Sequence, residues 1–197
     1  MNIYTFRLCL LSTEYWDDNE PVKQFNNFRS WVVFPTLFAS IGLLIALHFH
    51  AHNVPTNYIL LASFTTVQAL TLGCVVSLFE LKVIIEAVLL TAVIVFSLFI
   101  YTLQSKRDFV KHYALGFSLI GILMMASIMQ VFFMSSAFNF TINVIGAAIF
   151  CFLLVIDLDM IMNHLSPEDY ILACITLYMD VINLFIRILQ ILNEAQR

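Results

Sequence analysis

The chain has 197 residues, 61% of them hydrophobic and only 11% charged, with a formal net charge of −4; its mean hydropathy is +0.94. A soluble domain carries about 25% charged residues, so this chain has too little polar surface to stay dissolved and reads as an integral membrane protein. The negative charge and the lack of a basic stripe argue against nucleic acid, and the partner implied by composition is a lipid bilayer.

Residues 1–29 form an atypical N-terminal arm. The first eleven are partly apolar but interrupted by Arg7, and 12–24 (STEYWDDNEPVKQ) are polar and acidic. A signal peptide has a basic start before an unbroken apolar core. The arm fits that poorly and reads as an interfacial or disordered segment. Residues 30–197 read as a single transmembrane helix bundle. A spanning helix needs about 20 apolar residues, and six runs come close: 31–49, 58–79, 83–103, 113–134, 138–162 and 170–192. Barrel strands would alternate polar and apolar residues, which these runs do not. The predicted fold is an all-α integral membrane protein, a compact polytopic bundle with consecutive helices antiparallel.

His48, His50 and His52 close the first run at a two-residue spacing that suits neither one helix face nor an established zinc pattern. They read as a polar exit from the bilayer. Glu86 sits one turn after Lys82, so an i,i+4 pair at the membrane edge is the simple reading, and a part in an acidic pore the alternative. Lys106, Arg107 and Lys111 place the connection after the third run in the cytosol. Arg7, Lys23 and Arg29 before the first run, with Arg187 and Arg197 near the end, pull the other way. A last segment that dips in and returns would reconcile them, provided its irregular backbone is buried in protein.

Asn139-Phe140-Thr141 is a formal glycosylation acceptor at the start of a run. Gly116, Gly121, Gly146, Ala147 and Ala148 permit close helix approach. Cys9, Cys74, Cys151 and Cys174 are isolated and read as small buried apolar residues. Before the last run, Ser166, Pro167 and Asp169 form a helix start, with Glu168 and Asp169 at the positive end of the helix dipole.

Two carboxylates, Asp157 and Asp180, lie inside apolar runs, where a charge costs about 2.5–3.5 kcal/mol on insertion scales. The fifth and sixth runs are neighbours joined by a short turn, which brings both acids onto facing surfaces. Two carboxylates at close range cannot both ionise cheaply and tend to share a proton. Low pH keeps such a pair hydrogen-bonded; higher pH drives it apart or requires a cation between. Counted from Ser166, the two acids differ in depth by about 7 Å at 1.5 Å per residue. The alternative is two separate acids, each paired with a polar neighbour such as Asn183 or Thr176. Asp159, about 200° round the helix from Asp157 at 100° per residue, reads as an interfacial acid. Arg187, seven residues after Asp180 on nearly the same face, reads as a side chain snorkelling to the interface or as a distant counter-charge. The pair also raises an enzymatic rival, an aspartyl protease acting within the membrane. No Ser/His/Asp or Cys/His constellation and no phosphate loop stands out.

Three strings carry a recognisable pattern: Leu165-Ser166-Pro167-Glu168-Asp169-Tyr170, then Leu177-Tyr178-Met179-Asp180-Val181-Ile182-Asn183-Leu184-Phe185, and, earlier, Tyr101-Thr102-Leu103-Gln104-Ser105-Lys106-Arg107-Asp108-Phe109. Together they resemble the transmembrane Bax inhibitor motif family, in particular its Golgi anti-apoptotic branch, over about residues 30–192. The resemblance implies a seven-helix bundle whose last helix is central or re-entrant, a pH-sensitive calcium leak from internal stores, and protection against apoptosis. It puts the family's gating aspartates at Asp157 and Asp180, with calcium as a transient ligand and permeant ion and no resident cofactor. It favours the Golgi, with the endoplasmic reticulum as alternative, and a non-enzymatic role. The Tyr-Asp and Gly-x-Gly-Asp pair of intramembrane aspartyl proteases is absent.

The chain departs from the family pattern in two places. The six runs correspond to spans two to seven, which leaves one side of the bundle open unless the arm or a partner fills it. The acid usual in the family's third span is Gln68 here, while Glu86 stands where this branch often has a glutamine. Asp159, Asn183 and Arg187, with Gln68 and Glu86, are the candidates to line the pore or support the pair. The alternative function is a non-conducting protein that binds apoptosis regulators or calcium channels.

Overall fold

The computed structural model describes residues 35–36, 38–50, 55–105, 109–132, 136–164 and 170–196. The N-terminal arm (1–29), Cys9, His52, Lys106, Arg107 and the helix start at Ser166, Pro167, Glu168 and Asp169 lie outside the described residues. Among the described residues every regular element is helical. The chain divides into two compact units, Met1–Phe79 and Glu80–Arg197.

The first unit holds α1 (Phe38–His50) and α2 (Thr56–Val76). The second holds α3 (Leu81–Gln104), a 3-10 turn (Val110–His112), α4 (Tyr113–Phe132), α5 (Ser136–Asn163) and α6 (Tyr170–Ala195). By length and composition α2 to α6 supply five helices able to cross a bilayer, and the described part of the first run, α1, is shorter. The fold is thus the all-helical, polytopic membrane architecture expected from the sequence. The second run ends at Val76 rather than Phe79, because beyond it the backbone tightens to bonds three residues back: Leu78 N–H donates to Val75 O (3.2 Å) and Phe79 N–H to Val76 O (3.0 Å), while the Ser77 hydroxyl donates to Cys74 O (2.9 Å).

Hydrocarbon offers no hydrogen-bond partners, so hydroxyls inside a span must find them within the helix. They do so repeatedly. Thr65, Thr91, Ser97, Thr102, Ser127 and Thr141 each donate to the carbonyl four residues back, at 2.7–2.9 Å. Large apolar side chains such as Leu89, Phe96, Phe117 and Met125 stay exposed, as suits a surface whose solvent is lipid.

Within the second unit α5 is the hub, packing against α3, α4 and α6, while α6 also packs on α3. Gly116 lets α4 approach α5: a Cβ there would meet Leu153 Cδ2 at 2.9 Å. From Ile182 to Gln190 every residue of α6 except Phe185 is buried. The helix is unbroken over 26 residues, about 39 Å at 1.5 Å per residue. A segment that dips in and returns needs a break in the helix, so the re-entrant expectation is replaced by a central, continuous last helix.

Candidate functional site

Five polar residues of α6, Asp180, Asn183, Arg187, Gln190 and Glu194, follow one another at intervals of three and four. That spacing puts them on one face. The face is turned inward: Asn183, Arg187 and Gln190 are buried, and Asp180 Oδ2 and Glu194 Oε2 are shut off from solvent. A polar seam therefore runs along the inside of the bundle.

At one end Asp180 lies beside Asp157 of α5, the two carboxyls close enough to interact. Oδ2 of Asp180 is buried with no hydrogen-bond partner among the described residues. The depth difference counted along the sequence does not keep the two side chains apart. Thr176 turns its hydroxyl to its own helix, at Ala173 O (3.0 Å), and Asn183 lies one turn further along the seam.

In the middle lies Arg187, 2% exposed. Its Nη1 donates to Asn143 Oδ1 of α5 (3.1 Å) and its Nη2 to Ser127 Oγ of α4 (3.4 Å). Gly146 of α5 leaves the room: a Cβ there would lie 3.1 Å from both Cζ and Nε of the guanidinium. The snorkelling reading is therefore overturned. With α6 buried over this stretch, the side chain has no route to the interface and is held by polar groups of neighbouring helices.

Glu86 marks the far end. Gln196 Nε2 donates to its Oε2 at 2.7 Å, in place of the expected pair with Lys82. Along α6, Gln196 is 16 residues beyond Asp180, about 24 Å at 1.5 Å per residue, so Glu86 is not part of the aspartate pair. Gln68 lies half-buried on α2 in the first unit.

Asp159 is also corrected. It is 3% exposed, not interfacial, because it has its own partners: the N–H of Phe109 donates to Oδ2 (2.7 Å) and Asn163 Nδ2 to Oδ1 (2.7 Å). It ties the connection after α3 to α5, on a different side of the helix from Asp157.

Sequence reasoning missed Asn143, Ser127, Gln190 and Glu194. The three-four spacing on α6 could have revealed the last two. Among the described residues no group of three or more His, Cys, Asp or Glu converges on a metal position, and His48 and His50 are exposed on α1.

Comparison with known proteins agrees with this architecture. The family model described as "Inhibitor of apoptosis-promoting Bax1" matches residues 9–197. The chain is 38% identical to the Golgi anti-apoptotic protein of vaccinia virus (strain Lister) over 166 residues, covering 84% of this chain and 70% of that one. It is 38% identical to protein lifeguard 4 of Mus musculus over 158 residues, 80% of this chain and 66% of that one. It is 34% identical to Bax inhibitor 1 of Schizosaccharomyces pombe over 167 residues, 84% and 63% of the two chains. With that family model matched over residues 9–197 and relatives 38% identical, this all-helical, multi-pass chain belongs to the Bax inhibitor family.

Proposed function

We propose that the chain is an anti-apoptotic protein of internal membranes, the Golgi first among them, and that it acts as a calcium leak governed by Asp157 and Asp180. The observation that carries this reading is the closeness of the two carboxyls. A pair so placed shares one proton at the junction of α5 and α6. Loss of that proton sets two negative charges side by side, and their repulsion either parts the helices or draws in a cation. Calcium, a hard cation that prefers oxygen ligands, suits two carboxyls of which one keeps a spare oxygen. Acid therefore closes the leak and alkali opens it. A steady leak lowers the calcium an internal store can release, which links the pair to survival. The names of the relatives support the anti-apoptotic part.

Calcium efflux from proteoliposomes at pH 6 and pH 8 tests this. Wild type is expected to leak faster at pH 8. Asp157→Asn and Asp180→Asn are each expected to flatten the response, and the double substitution to add little to either. A flat response in all four proteins would leave the rival reading, a non-conducting protein that binds apoptosis regulators or calcium channels.

A further inference from the structure

Arg187 occupies the middle of the seam whose ends are acidic, with the Asp157–Asp180 pair on one side and Glu194 and Glu86 on the other. We infer that Arg187 is a fixed positive plug, held by Asn143 and Ser127, that sets how slowly cations pass the polar interior; this rests on the calcium-leak reading above.

Three observations carry it. The guanidinium is buried, where the low effective dielectric lengthens the reach of its charge. It is positioned from three sides, by Asn143, by Ser127 and by the notch at Gly146, so it does not swing clear with an ordinary rotamer change. It also lies on the same face of α6 as Asp180, seven residues on, about 10 Å along the axis. A cation that has reached the aspartates must then pass a like charge. Arginine stays protonated at any physiological pH, so the barrier is constant and the proton on the aspartate pair is the variable part. The acids draw the ion in, and the arginine limits its passage.

A plug of charge is distinguished from a plug of bulk by ion valence, because the energy of an ion in a potential scales with its charge. If neutralising the barrier speeds potassium about tenfold, calcium should speed about a hundredfold. Two variants neutralise it differently. Arg187→Gln removes the cation. Asn143→Asp is nearly isosteric, keeps an oxygen for Nη1, and sets a carboxylate against the guanidinium without emptying the site.

The experiment is paired calcium and potassium efflux from proteoliposomes at pH 8, with monodispersity in detergent checked by gel filtration. Arg187→Gln and Asn143→Asp are expected to raise both fluxes, calcium by the square of the potassium gain. Unchanged fluxes in Asn143→Asp, or equal gains for the two ions, overturn the plug while leaving the leak intact. A wild type that moves no calcium at either pH overturns the leak, and the plug with it.

Discussion

Gly146 and Arg187 fit as notch and key: a single added carbon on Gly146 would stand 3.1 Å from the guanidinium carbon. Gly146→Leu should therefore displace the arginine and cost about 1–3 kcal/mol, the usual penalty of overpacking. Gly121 has nothing within 4 Å of an added Cβ, so Gly121→Leu should change stability by no more than about 0.5 kcal/mol. Thermal scans of the purified variants in the same detergent compare them directly, and equal losses would argue against a specific notch.

Asp159 is a fastener, tying Phe109 and Asn163 to α5 apart from the Asp157–Asp180 pair. Asp159→Ala leaves the half-buried N–H of Phe109 without its acceptor and should cost about 1 kcal/mol. The ratio of calcium flux at pH 8 to that at pH 6 should remain as in wild type. A lowered melting temperature with an unchanged ratio is the expected pattern; a lost pH response would tie Asp159 to the gate.

Glu86 gives the converse control. Glu86→Gln retains an oxygen to accept from Gln196, which lies far along the chain of α6 from Asp180, so the pH response should survive. Its measurement is the same flux ratio. A response abolished by Glu86→Gln would mean that the acid at the far end, not the aspartate pair, senses the proton.

The helical spans and the two aspartates were legible in the sequence because both rest on large costs. Unsatisfied backbone in hydrocarbon forces helices, and a carboxylate in an apolar run requires a reason. What escaped was cheap or non-local. Asn143 and Ser127 are small polar residues that a span tolerates at little cost, so nothing in their own neighbourhood marks them. Local sequence gives Arg187 a route to the interface, a rule that fails when neighbouring helices enclose α6. It likewise points Asp159 to water, since its partner Phe109 is 50 residues away. The polar positions of α6 were visible one by one, but their common spacing, and hence the seam, emerges only when they are taken together.

The pair should also couple energetically. Asp157→Asn and Asp180→Asn alter one shared proton, so their effects on the pH response should not sum. A double-substitution cycle on the flux ratio checks this, and strict additivity would mean that the two acids act in separate surroundings.

Infrared difference spectroscopy of the reconstituted protein between pH 6 and pH 8 reads whether Asp157 and Asp180 hold one proton between them. A single protonated-carboxyl band is expected at pH 6, disappearing at pH 8 and lost in both Asp157→Asn and Asp180→Asn. A pH 6 spectrum with no such band, or a band that survives both substitutions, would contradict the shared proton.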